Sequence, residues 1–149
     1  MREDIQAIIQ KNRTALSNMI ALRRTVHKIS LLEAPGIKKH GITLTQFAVL
    51  ESLYNKGDLR IQDLIEKMLT TSGNMTVVIR NMIRNGWITR RSNPEDKRAS
   101  LISLTPEGRS FIEEILPDHY ENVGRIFNVL TEKERKDLAR ILKKFKDSE

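Results

Sequence analysis

Six cationic side chains, Arg80, Arg84, Arg90, Arg91, Lys97 and Arg98, fall within 19 consecutive residues, with Asn74, Thr76 and Asn81 before and among them. These residue types suit a polyanionic duplex. Guanidinium groups bind phosphate and pair bidentately with guanine O6 and N7, and an asparagine amide pairs bidentately with adenine. Competing chemistries find little support. The chain has no cysteine, which excludes a disulfide scaffold, cysteine-ligated zinc, a thiol switch and cysteine nucleophilic catalysis. His27, His40 and His119 stand in no H-x-x-x-H or H-E-x-x-H spacing. No phosphate loop, nucleophile elbow or carboxylate pair is present either. Neither a metal nor a cofactor is expected, and the chain is not expected to be an enzyme.

The 149 residues carry a formal net charge of +7, with 39% hydrophobic and 30% charged residues. That length fits one domain, with or without an added oligomerisation element. The surplus is uneven: +5 over residues 1–40, +3 over 58–105 and −1 over 106–149. No apolar run approaches the roughly 18 residues of a membrane span. The opening MREDIQAIIQKNR has no signal-peptide core. A cytoplasmic protein with an acidic partner and no membrane is the expectation.

The elements that would position these cations are mostly helical. Ile5, Ile8, Ile9, Leu16, Met19, Ile20, Val26 and Ile29 give one long helix over 2–33, ended by Pro35-Gly36. Its stripe is longer than a small core could cover, so a second chain is expected against it. Thr43 and Gln46 form a capping box for a helix over 44–56, with Phe47, Leu50, Leu53 and Tyr54 inward and Gly57-Asp58 as its stop. Ile61, Leu64, Ile65, Met68 and Leu69 predict a third helix. Thr70-Thr71-Ser72-Gly73 breaks it and caps a fourth, which runs on Met75, Val78, Ile79, Met82 and Ile83 to Asn85. The period then changes: 87–92 and 99–104 are six-residue strand-like runs around the turn residues 93–98. Thr105-Pro106 starts another helix with a kink expected near Pro117, and Thr131 with Glu134 caps the last. The predicted fold is mainly α with a small β-hairpin wing: a winged helix-turn-helix over 41–105, flanked by helices over 1–40 and 106–149 that form a dimerisation layer.

Placed at 100° intervals, the fourth helix turns Met75 and Met82 inward. Gly73, Val77, Arg80 and Arg84 then face out, flanked by Asn74, Thr76 and Asn81. Thr71, Ser72 and Gly73 lie at its N-terminus, where free N–H groups favour phosphate. A small apolar side chain such as Val77 suits a thymine methyl. Arg90, Arg91, Lys97 and Arg98 place four cations on the hairpin, with Arg98 at the tip, where it could enter a minor groove. Asp96 is read as pairing with an arginine and aiming it.

The stretch from Thr43 to Gly108 resembles the MarR (multiple antibiotic resistance regulator) family of bacterial transcription factors. The likeness rests on Thr76 ten residues before Gly86, on Gly86-Trp87-Ile88, on Asn93-Pro94-x-Asp96-x-Arg98, and on Leu104-Thr105-Pro106-Glu107-Gly108. It implies a homodimer with interlocked first and last helices, a fourth helix in the major groove and Arg98 in the minor groove. Many such proteins are repressors released by small, often phenolic, ligands bound between the dimer layer and the winged helix. His27 and Tyr54 are the candidate residues for such an effector pocket. The chain departs from the family pattern with Val77 where arginine is usual and Arg80 where an acid is common. The missing cysteine excludes the peroxide-sensing thiol switch. The expected partners are double-stranded DNA with an imperfect palindromic operator, a second copy, and a small aromatic or phenolic effector. The alternatives are a winged-helix protein-interaction module without sequence-specific DNA binding, and the dimerisation part of an enzyme, for which the chain leaves no catalytic domain.

Overall fold

Thr43 and Gln46 cap each other: the Gln46 amide donates to Thr43 Oγ1 (3.1 Å) and the Thr43 amide to Gln46 Oε1 (3.0 Å). Two amides that a helix start would leave unpaired are thereby satisfied, and the chain enters its central helix at Leu44. The computed structural model describes residues 2–68 and 72–148. In order its elements are α1 (Arg2–Lys11), α2 (Arg13–Lys38), α3 (Leu44–Lys56), β1 (Leu59–Arg60), α4 (Ile61–Met68), α5 (Ser72–Arg84), β2 (Ile88–Ser92), β3 (Ser100–Leu104), α6 (Pro106–Phe127) and α7 (Glu132–Lys146). Leu69, Thr70 and Thr71 lie outside the described residues. No helix among the described residues is long and apolar enough to cross a membrane.

The chain divides after Glu33 into two units. In the first, the single helix expected over 2–33 is two helices with a joint at Asn12. The Asn12 side-chain amide donates to the Ile8 carbonyl (2.9 Å), the acceptor that its own backbone N–H also uses (3.1 Å). A short polar side chain competing for a helix carbonyl locally weakens the ladder. Ile5, Ile8, Ile9, Leu16, Met19, Ile20 and Val26 are all exposed along α1 and α2.

In the second unit, which begins at Ala34, Pro35-Gly36 does not stop the helix as the sequence suggests. α2 continues through both residues to Lys38. Pro35 lacks an N–H and costs about 3 kcal/mol inside a helix. Continuing the helix buries Ile37 to 1% exposure, worth roughly 1.5–3 kcal/mol, which offsets much of that cost. The stop is Gly41, in the left-handed region at φ +77°, reached through Gly41 N–H to the Lys38 carbonyl (2.9 Å).

The core of this unit joins Phe47, Val49, Leu50 and Leu53 of α3 to Leu64 of α4 and to Met75, Ile79 and Met82 of α5. Ile37, Ile42, Ile88, Ile102, Ile112, Ile115 and Leu116 complete it. The sheet is antiparallel in the order β1-β3-β2. β2 and β3 form the expected hairpin, in register from Ile88 opposite Leu104 to Ser92 opposite Ser100. Its strands are five residues long rather than six: the Trp87 N–H bonds to the Met82 carbonyl, and the Ala99 N–H closes the tip turn on the Asp96 carbonyl. β1 pairs Leu59 with Ile102 and Arg60 with Leu101; two residues are too few for a sequence period to reveal. α6 continues unbroken past Pro117. α7 opens on the expected Thr131–Glu134 capping box and buries no residue. Arg135 closes the preceding turn by donating to the carbonyls of Phe127 (3.2 Å) and Leu130 (3.1 Å), which satisfies helix-end acceptors.

Candidate nucleic-acid interface

α5 places its side chains as the 100° spacing requires. Met75 and Met82 are fully buried and Ile79 nearly so, while Gly73, Asn74, Thr76, Val77, Arg80 and Arg84 are exposed and Asn81 is half-buried. Ser72 opens the helix. Ile83, expected inward, is 39% exposed. It sits at the rim, where it lines a notch of about 190 Å³ with Ile61, Thr76, Ile79, Arg80 and Arg90. Arg90 of β2 and Arg80 of α5 therefore share one groove between helix and hairpin.

The period-2 alternation of β2 separates the two stem arginines. Arg90 lies opposite Ile102, on the face that Ile88 and Ile102 turn to the core. Arg91, grouped on sequence with the DNA-facing cations, points to the other face. There it pairs with Asp58 in the turn before β1 and donates from Nε to Ser103 Oγ (3.3 Å). It anchors the hairpin stem rather than joining the α5 face. The Arg91 guanidinium, helped by the Ser103 hydroxyl, holds the Asp58 carboxyl below its ordinary value of 3.8. The anchor is thus intact above that value and is lost as pH falls through the lowered one. Arg60 and Asp63 form a second clamp at the start of α4, with two side-chain bonds of 3.1 and 2.8 Å. Asp63 also accepts the Arg60 backbone N–H (3.1 Å), which caps the first turn of α4.

The wing tip builds its own turn. Asn93 Oδ1 accepts the Glu95 N–H (3.0 Å), and the Ala99 N–H donates to the Asp96 carbonyl (3.0 Å). The Asp96 carboxylate accepts the Arg98 backbone N–H (3.0 Å). This corrects the expected pairing with an arginine side chain: Asp96 shapes the backbone from which Arg98 projects, an Asx-turn role. Lys97 and Arg98 are both exposed at the tip.

What ties the hairpin to its neighbours is a joint the sequence does not announce as such. The Thr105 hydroxyl donates to the Gly86 carbonyl (2.6 Å) and accepts the Gly108 N–H (2.9 Å). The Thr105 N–H donates to the Trp87 carbonyl (3.0 Å), and the Trp87 N–H to the Met82 carbonyl (3.1 Å). The Trp87 ring stacks on Phe111 at 4.8 Å. Gly86, at φ +77°, ends α5 in a conformation that favours glycine. At Gly108 any Cβ would run into the Trp87 backbone. The end of α5 and the start of α6 are therefore bolted together across the ends of β2 and β3. The Leu-Thr-x-x-Gly pattern, read on sequence as a helix opener, is the part of the sequence that encodes this joint.

Of the two candidate effector residues, His27 is exposed on α2. Tyr54 is half-buried on α3 with the Arg109 guanidinium 5.2 Å above its ring, a cation–π contact. Among the described residues, no group of three or more His, Asp and Glu side chains is placed to hold a metal ion.

Known proteins are similar to this chain in sequence and fold. A model of the MarR family matches residues 42–100, the segment from the start of α3 to the hairpin. The chain is 39% identical over 107 residues to the HTH-type transcriptional regulator YkoM of Bacillus subtilis, covering 72% of this chain and 70% of that one. It is 33% identical over 130 residues to the HTH-type transcriptional regulator MhqR of the same organism, covering 87% and 90%. Among solved structures it is similar to Bordetella bronchiseptica BpsR, whose DNA binding is regulated by 6-hydroxynicotinic acid. The TM-score is 0.76 at 26% identity, over 87% of this chain and 92% of that one. With a family model lying over the helix-turn-helix and wing, and two relatives alike over most of their length, the chain belongs to the MarR family.

Proposed function

We propose that two copies of this chain form a transcriptional repressor that binds an imperfect palindromic operator in the cytoplasm. The observation that carries this reading is the α5 face itself: Asn74, Thr76, Val77, Arg80 and Arg84 are exposed together, with Arg90 sharing a groove with Arg80. Polar amides and guanidiniums on one helix face are the groups that read base edges in a major groove. The exposed Lys97 and Arg98 supply cations for the backbone and the narrow minor groove.

The dimer rests on apolar surface that lacks a cover. Ile8, Leu16, Ile20 and Val26 on α1 and α2 are exposed, as are Ile141, Leu142 and Phe145 on α7. Stripes of this extent mark an association surface, and a second copy offers a matching set. Residues 1–40 and 106–149 form the dimer layer and 41–105 the winged helix. The two α5 helices then enter successive major grooves about 34–36 Å apart. A small aromatic or phenolic effector releases the DNA by favouring a dimer geometry in which this spacing is wrong. Regulation of BpsR by 6-hydroxynicotinic acid supports an effector of that class.

Selecting bound duplexes from a random DNA pool tests the reading. The expected product is a palindrome whose half-sites are centred one helical turn, about 10–10.5 base pairs, apart. Weak binding without sequence enrichment would instead make the chain a protein-interaction module.

A further inference from the structure

The centre of the α5 outer face is a hydrocarbon. Val77 is 49% exposed, and its position is opposite the core: Met75 and Ile79, each 200° round the helix from it, are 0% and 2% exposed. Along the same side of α5 lie Gly73 one turn before it and Arg80 and Arg84 one and two turns after. A branched aliphatic group beside guanidiniums gains nothing from water. In the major groove it meets one apolar group, the C5-methyl of thymine. Its two methyls reach only a short way beyond the backbone, so the helix must lie deep in the groove for them to touch a base. Gly73 permits that approach: a Cβ built there would have no heavy atom within 4 Å, so packing does not require glycine, and its absent side chain lets a base or phosphate come close to the helix.

We propose that Val77 selects one thymine in each half-site of the operator by packing its methyl groups on the thymine C5-methyl. The proposal rests on the DNA-binding reading above and deepens it to a base.

The probe is a duplex recovered from the random pool, in which each thymine in turn, at symmetric positions of both half-sites, is replaced by deoxyuridine. This removes the C5-methyl and leaves base pairing intact. Dissociation constants are measured for the full chain and for Val77→Ala at one salt concentration. At one thymine per half-site, the wild type loses about fourfold per half-site, the worth of one buried methyl. Val77→Ala binds the thymine duplex more weakly and no longer distinguishes it from the deoxyuridine duplex at that position. Its salt slope equals that of the wild type, and its thermal midpoint is no lower, because alanine is the better helix former at this exposed position. Indifference of the wild type to every replacement overturns the proposal, and so does discrimination retained by Val77→Ala. Absence of any enriched duplex overturns the DNA-binding reading as well, so the two failures are distinguishable.

Discussion

Gly108→Ala is expected to cost the fold about 3 kcal/mol or more, at the upper end of what overpacking a tight site does. The new methyl would lie 2.8 Å from the Trp87 carbonyl carbon and closer still to its oxygen, and backbone cannot swing aside as a flexible side chain can. Relief requires α6 to back away from Trp87. That movement would break the Thr105 bonds to Gly86 and Trp87 and unstack Trp87 from Phe111. Denaturant unfolding reads the loss, and a chain of this size should melt about 10 °C lower. Gly124→Ala is the control on the same helix. A Cβ there would meet nothing within 4 Å, and the substitution should stabilise by about 0.5–1 kcal/mol through helix propensity and the restricted unfolded chain. Equal effects at the two glycines would show that Gly108 is not a close-contact position. The joint ties the end of α5 to the start of α6. In the proposed dimer, a change that moves α6 would therefore move α5 with it.

Arg98→Ala is expected to weaken binding to every duplex and to make the slope of log affinity against log salt shallower by about one unit. The reason is local. Asp96 spends its carboxylate on the Arg98 backbone N–H, so the tip is preshaped and the exposed guanidinium is directed outward. Arg91→Ala supplies the contrast. Its partner is Asp58 on the far face of the hairpin, so removing it should loosen the wing and leave the salt slope unchanged. An unchanged slope for Arg98→Ala, measured by titrations across a salt series, would remove this residue from the interface.

Much of this was legible in the sequence wherever the signal is local. The capping boxes at Thr43–Gln46 and Thr131–Glu134 and the inward Met75 and Met82 follow from spacings of three and four residues, and all are present. The separation of Arg90 from Arg91 was also available, because neighbouring strand residues face opposite ways. What holds Arg91 was not: Asp58 lies 33 residues away, and no local pattern pairs them. Pro35 misled for the complementary reason. It is a strong local breaker, but Ile37 lies two residues beyond it and is buried in the core. β1 is too short to show a period. Asp96 pairs with a backbone N–H rather than with an arginine side chain, a local Asx-turn bond that the surrounding arginines obscure.

The arrangement of paired α5 helices in two major grooves, with wings in the minor groove, is tested most directly by methylation interference on the selected duplex. Dimethyl sulfate marks guanine N7 in the major groove and adenine N3 in the minor groove, so one experiment reads both. Binding should be blocked by N7 methylation in two clusters centred about 10–10.5 base pairs apart, and by N3 methylation beside each cluster, where Arg98 enters. Arg98→Ala should abolish the N3 signal and keep the N7 clusters. A single N7 cluster, or full binding to duplexes methylated throughout the major groove, would contradict the paired-helix arrangement.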